Sequence, residues 1–166
     1  MKHTFLLIAL VLASLFFIWR FASYRLSIPC PFWLAWLIER ENPLASLNRA
    51  DALVTQLKLQ PRMTVLDAGC GPGRLTIPLA QVVGPHGSVT ALDMQQEMLE
   101  RVRTKAETAD LNNITYIQSG LGTGALTIQD YYDRVTLSAV IGEIPAEFQG
   151  RALNEIHTAL KKDGLL

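Results

Sequence analysis

The stretch Val65–Leu75 reads VLDAGCGPGRL. A short apolar run ends in an aspartate, and three glycines follow at alternate positions. A strand that runs into such a loop and then into a helix narrows the choice of fold sharply. The turn needs residues without a Cβ atom, and the helix start offers unpaired N–H groups to an anion. This order belongs to parallel α/β sheets, whose ligands sit at the carboxyl edge of the strands.

The rest of the chain repeats the alternation. Leu47, Ala50, Val54 and Leu57 recur at helical spacing, predicting a helix to about Leu59. Met63 to Leu66 is the first strand. After the glycines, Leu75, Leu79, Val82 and Val83 predict a helix stopped by GPHG, with Pro78 forcing a late start or a bend. Ser88 to Leu92 is the second strand. The helix after it places Met94, Met98, Val102 and Ala106 on one face. Ile114 to Ile117 and Asp133 to Val140 read as the third and fourth strands, separated by the loop SGLGTGAL. Ala146 to Lys161 reads as a helix with Leu153, Ile156 and Leu160 inward, and Leu165-Leu166 could open a fifth strand. Strands alternating with helices imply a mostly parallel sheet covered on both faces, a Rossmann-like three-layer α/β sandwich.

Basic and acidic residues balance at 15 each, so net charge gives no reason to expect nucleic acid as a partner. The two cysteines, Cys30 and Cys70, have neither zinc-site nor disulfide spacing and read as reduced thiols.

The N-terminus differs from the rest. Thr4 to Trp19 carries no charge, Arg20 can snorkel, and Trp19 and Tyr24 suit a headgroup belt. The first reading is a transmembrane anchor over residues 4–24. It implies a single-pass membrane protein with its domain on the cytoplasmic side. A cleaved signal peptide competes, although bulky residues occupy the place of its cleavage site. Residues 26–43 follow as an aromatic segment, PCPFWLAWLIERENP from Pro29. It reads as an interfacial helix, a helix packed on the core, or a lid for an apolar substrate. The organisation is then 1–25 anchor, 26–43 linker helix and 44–166 catalytic domain.

The loop itself discriminates between ligands. A nicotinamide dinucleotide site prefers G-x-G-x-x-G, whereas the spacing here is G-x-G-x-G and Arg74 stands where the third dinucleotide glycine would be. Asp67, just before the loop, would repel a pyrophosphate but suits an ammonium group. No Walker lysine is present. Asp93 ends the second strand and can accept both hydroxyls of a ribose, or cap the next helix with Gln96. An aminoacyl-like end together with a ribose points to S-adenosyl-L-methionine.

At these residues the chain resembles a known family. VLDAGCGPGRLTIPLA and GSVTALDMQQEMLERV look like the first two motifs of class I S-adenosylmethionine-dependent methyltransferases, and YDRVTLSAVIGEIP and RALNEIHTALKKDGLL look like later ones. The resemblance runs from about residue 44 to the end. It implies that Asp67, Gly69 and Gly71 meet the methionyl part, Asp93 the ribose and Met94 the adenine. The expected cofactor-binding set is Asp67, Ala68, Gly69, Gly71, Gly73, Asp93 and Met94. No catalytic residue is identified. Glu143, in GEIP, is a candidate base, or simply a helix-start glutamate.

Two departures stand out. Ser119-Gly120 occupies the place of an acidic adenine-binding residue. The family sheet has seven strands, and this chain stops where the fifth begins. That predicts a sheet incomplete on its C-terminal side, with the fourth strand as an apolar edge for a partner or a second copy to cover. The expected function is methyl transfer to a small or lipophilic acceptor. The alternative is a truncated, non-catalytic cofactor-binding fragment that needs a partner.

Overall fold

The computed structural model describes residues 50–166 and, in the N-terminal segment, positions 4, 7, 10, 11, 14, 17, 18 and 21. Among the described residues no helix is long and apolar enough to cross a membrane. This finding goes against the expected single-pass membrane localisation with a cytoplasmic domain. The physical reason is length: a span needs about 20 apolar residues, and the uncharged run stops short of that at Arg20. The other positions of 1–25 and the whole 26–43 segment lie outside the described residues.

From residue 50 the elements alternate as expected. They are α1 (Ala50–Gln56), β1 (Thr64–Ala68), α2 (Thr76–Val83), β2 (Ser88–Asp93), α3 (Gln96–Thr108), β3 (Ile114–Gln118), β4 (Tyr132–Thr136), a 3-10 turn (Ile141–Glu143), α4 (Ala146–Ala159) and β5 (Leu160–Leu165). The strands form one five-stranded sheet in the order β3-β2-β1-β4-β5. Every pairing is parallel, with Val65 beside Val89 and Leu66 beside Val135.

The alternation of side chains along β1 builds the layers. Val65 turns to the face covered by α1 and α2, where Leu75, Leu79 and Val83 are buried. Leu66 and Ala68 turn to the opposite face, against Ile156, Ala152 and Ala159 of α4. Val102 and Leu99 of α3 close the first face over Ala91. The result is the expected Rossmann-like sandwich. Between β1 and β4 the strand order reverses, and at the carboxyl edge of such sheets this is where a ligand crevice forms.

The helix after the glycines begins at Thr76, the late start that Pro78 led one to expect, with Pro78 in its first turn where a missing N–H costs nothing. Other local readings are corrected. Val82 and Leu153 are 41% and 43% exposed, not core. Each sits beside the apolar stripe of its helix rather than on it. Met94 is 56% exposed and precedes α3, because Asp93 and Gln95 turn the chain before the helix starts.

The largest correction concerns the end of the sheet. The last helix stops at Ala159, and Leu160–Leu165 pairs with β4, with a register shift between Tyr132 and Arg134. β4 is therefore not an apolar edge, and no partner is needed to cover it. The sequence LKKDGL reads poorly as a strand, yet Lys161 donates to Asp133 Oδ1 at 2.7 Å, and Asp133 Oδ2 accepts from the Thr64 N–H at 2.8 Å. These bonds tie β1, β4 and β5 together at the amino edge.

Ile156→Ala removes a fully buried side chain and is expected to cost about 2–5 kcal/mol. Leu153→Ala, one turn away on the exposed side, is expected to stay within about 0.5 kcal/mol. Urea unfolding of the two variants checks which face of α4 is core.

Candidate functional site

The glycine loop leaves β1 at the point where the strand order reverses. Gly69, Gly71 and Gly73 all have positive φ, at +72°, +52° and +86°. The amides of Gly69 and Cys70 donate to the Leu92 carbonyl at 2.7 and 2.9 Å, which fastens the loop to β2. Lys105, reaching from α3, donates to the Pro72 carbonyl at 2.7 Å.

The two glycines that matter most differ in surroundings. A Cβ on Gly69 would collide with the methyl groups of Val140, from the loop after β4. A Cβ on Gly71 would meet nothing within 4 Å. Gly69 thus lets two protein segments close on each other, whereas the open side of Gly71 faces the crevice.

Asp67 lies beneath this loop and is almost fully buried. Its Oδ2 accepts from the Thr76 hydroxyl and its Oδ1 from the Thr136 hydroxyl, each at 2.6 Å. Burial raises its pKa above the ordinary carboxylate value. The hydroxyls of Thr136 and Thr76 oppose the rise, the negative charge of Asp93 adds to it, and Arg74 works against it.

Asp93, at the end of β2, is also buried. Its Oδ2 accepts from the Gly71 N–H at 2.8 Å and its Oδ1 from the Gln95 N–H at 2.9 Å. The second bond turns the chain ahead of α3, whose N-cap is Gln95 with no side-chain cap, so the capping reading of Asp93 with Gln96 does not hold. Burial lifts its pKa against the N–H groups of Gln95, Gly71 and Met94. Beyond these donors the carboxylate keeps spare acceptor capacity.

Of the predicted set, Asp67, Ala68, Gly69, Gly71, Gly73 and Asp93 come together at one end of the β1–β2 pair. Met94 stands at the rim, with its carbonyl accepting from Gln118 Nε2 at 3.4 Å. Ser119 follows β3 and donates its N–H to the Asp93 carbonyl at 3.0 Å. The Cys70 thiol is buried and its pKa is pushed up by burial, with Asp67 and Asp93 adding to the rise. Cys30 lies outside the described residues. Glu143 is half-buried in the 3-10 turn across the crevice, its N–H donating to the Val140 carbonyl at 2.8 Å.

Sequence reasoning missed three contributors. Thr76 and Thr136 lie 9 and 69 residues from the carboxylate they hold, and their only signal is a hydroxyl at the start of a helix and at the end of a strand. Ala139 takes φ +62° in the loop after β4, a strained conformation that swings Val140 onto Gly69.

Such an arrangement defines a Rossmann-like domain built to hold an aminoacyl nucleoside. The carboxylates stand at two separated points and the loop exposes backbone between them, which fits S-adenosylmethionine. Residues 65–164 match the family model described as a methyltransferase domain, and the chain belongs to that family. It is similar to the demethylmenaquinone methyltransferase of Listeria welshimeri, 33% identical over 110 residues that cover 66% of this chain and 45% of that protein. The enzyme of that name from Lactobacillus johnsonii is 34% identical over 109 residues, covering 66% and 44%. The chain therefore spans about half the length of the relatives it matches.

Among solved structures, an S-adenosylmethionine-dependent methyltransferase from Aquifex aeolicus aligns with a TM-score of 0.59 at 22% identity, covering 80% of this chain and 69% of that one. Coclaurine N-methyltransferase, bound to N-methylheliamine and S-adenosylhomocysteine, aligns with a TM-score of 0.58 at 25% identity, covering 70% and 33%. Family and fold together make S-adenosylmethionine the cofactor.

Alanine substitutions at the two glycines are expected to separate scaffold from ligand contact. Gly69→Ala forces both a strained φ and a clash with Val140, and is expected to cost more than about 1–3 kcal/mol of stability. Gly71→Ala carries the strain alone and places its methyl in the crevice. Its larger effect is expected on affinity for S-adenosylhomocysteine, read by calorimetry beside a melting curve.

Proposed function

We propose that this chain transfers a methyl group from S-adenosylmethionine to a small, lipophilic acceptor, acting through a domain over residues 44–166. The observation that carries the reading is the pairing of Asp67 and Asp93 across an open glycine loop at the strand-order switch point. When bound, S-adenosylmethionine supplies a methyl group already activated on a sulfonium. Little covalent help is then required, and the work of the protein is placement.

In this reading Asp67 faces the ammonium end of the cofactor. The backbone of Ala68, Gly69, Gly71 and Gly73 lies along its methionyl part. Asp93 uses its remaining lone pairs for the ribose hydroxyls, and Met94 covers the adenine. The exposed sulfur side chain at the rim suits that last role, since a thioether packs well on an aromatic ring.

The acceptor side is the segment after β4. Leu137, Val140 and Ile144 turn into the core, Ile141 is exposed, and Glu143 is the segment's only ionisable group. Gln149 donates to the carbonyls of Ile141 at 3.1 Å and Ile144 at 2.9 Å, which fixes the segment against α4. An exposed isoleucine beside a single carboxylate is compatible with an apolar acceptor. The names of the similar Listeria and Lactobacillus enzymes support a quinone-like ring. Glu143 is the candidate to take up a proton that the acceptor loses.

Isothermal titration with S-adenosylhomocysteine tests the cofactor reading, and a folded chain that releases no heat would sink it. Asp93→Ala is expected to weaken binding at least about tenfold, since it removes a buried acceptor for two hydroxyls. As pH falls, wild-type affinity is expected to decline already above the ordinary carboxylate range. Both acids have raised pKa values, so they take up protons earlier than exposed carboxylates do.

A further inference from the structure

The buried carboxylate of Asp67 is held from two sides. Thr76 opens α2 and is fully buried, and Thr136 closes β4 and is nearly so. Each hydroxyl donates to a different oxygen at 2.6 Å, short even for O–H···O bonds. An ionised carboxylate only accepts, so two donors on two oxygens match the charged form. Hydrogen bonds of this kind are about twice as strong as neutral ones and offset part of the desolvation of a buried charge.

The bonds also do something that packing would not. They fix the carboxylate plane, leaving one remaining lone pair on each oxygen. Three further groups share its field. Asp93 repels it from the end of β2, Arg74 attracts it from the loop, and the Cys70 thiol lies between the acids. Arg74 reaches toward the Ser138 hydroxyl at 3.5 Å, on the β4 side of the crevice.

We propose that Thr76 and Thr136 are positioning residues that hold the Asp67 carboxylate ionised and oriented beneath the glycine loop, so that it selects ligands carrying an ammonium-bearing aminoacyl end. This rests on the cofactor reading above and assigns its selectivity to two hydroxyls that contact no ligand. Valine in place of either threonine keeps the shape and removes the donor. The carboxylate then loses support for its charged form, its pKa rises further, and it is neutral over a wider range of pH.

The test is calorimetry on the full chain with two probes at pH 6 and pH 8. S-adenosylhomocysteine carries the ammonium, and methylthioadenosine lacks the aminoacyl group. Thr136→Val is expected to weaken S-adenosylhomocysteine about tenfold at pH 6 and markedly less at pH 8. Methylthioadenosine is expected to bind as it does to wild type at both pH values, and Thr136→Ser to restore the wild-type profile. Thr76→Val gives the same readout from the other side if Thr136→Val does not fold. Equal losses for both probes, or a loss independent of pH, would mean the hydroxyls only brace the loop, and the proposal falls. Wild-type chain that binds neither probe would overturn the cofactor reading itself, and this inference with it.

Discussion

The bond pair on Asp67 is the constraint around which the carboxyl edge of the sheet is arranged. One carboxylate at the end of β1 joins the first residue of α2 to the last residue of β4. The glycine loop runs between these points. Without the bridge, β1 and β4 would still pair through their backbones, but the loop would lack a fixed floor. A charge is costly to bury, and here the cost falls where three elements need a common anchor.

Around that floor, three loops of the edge are each tied back by one long polar side chain from a helix. Lys105 of α3 holds the glycine loop at Pro72. Glu155 of α4 accepts from the amides of Gly122 and Gly124 at 3.0 and 2.6 Å and so holds the loop after β3. Gln149, also of α4, holds the segment after β4. Loops this rich in glycine would otherwise sample many conformations, and fixing them beforehand lowers the entropy lost when a ligand orders them.

Much of the fold was legible in the sequence because its signals are local. The strand–loop–helix order, the positive-φ glycines and the two acids at strand ends follow from short-range chemistry, and they placed Asp67, Gly71 and Asp93 together correctly. What escaped depends on contacts across the chain. β5 exists because β4 and Asp133 receive Leu160–Leu165, not because that segment favours a strand. Val82 and Leu153 show that apolar residues next to a buried stripe do not always join it. One partner of Asp67 was invisible for the same reason, since Thr136 lies 69 residues away.

The placement of the site at the β1–β4 seam has a kinetic consequence. Every bond across that seam, from Thr64 to Asp133 and from Asp67 to Thr136, closes a loop of about the same large sequence separation. Neighbours such as β1 and β2 are joined by far shorter connections and meet earlier, because closing a long loop costs more entropy before any contact rewards it. The carboxylate bridge and the crevice are thus completed only when the slow, non-local half of the sheet docks. A ligand seated there binds a chain that has finished folding and none of its forerunners, so it draws the population toward the closed sheet by mass action.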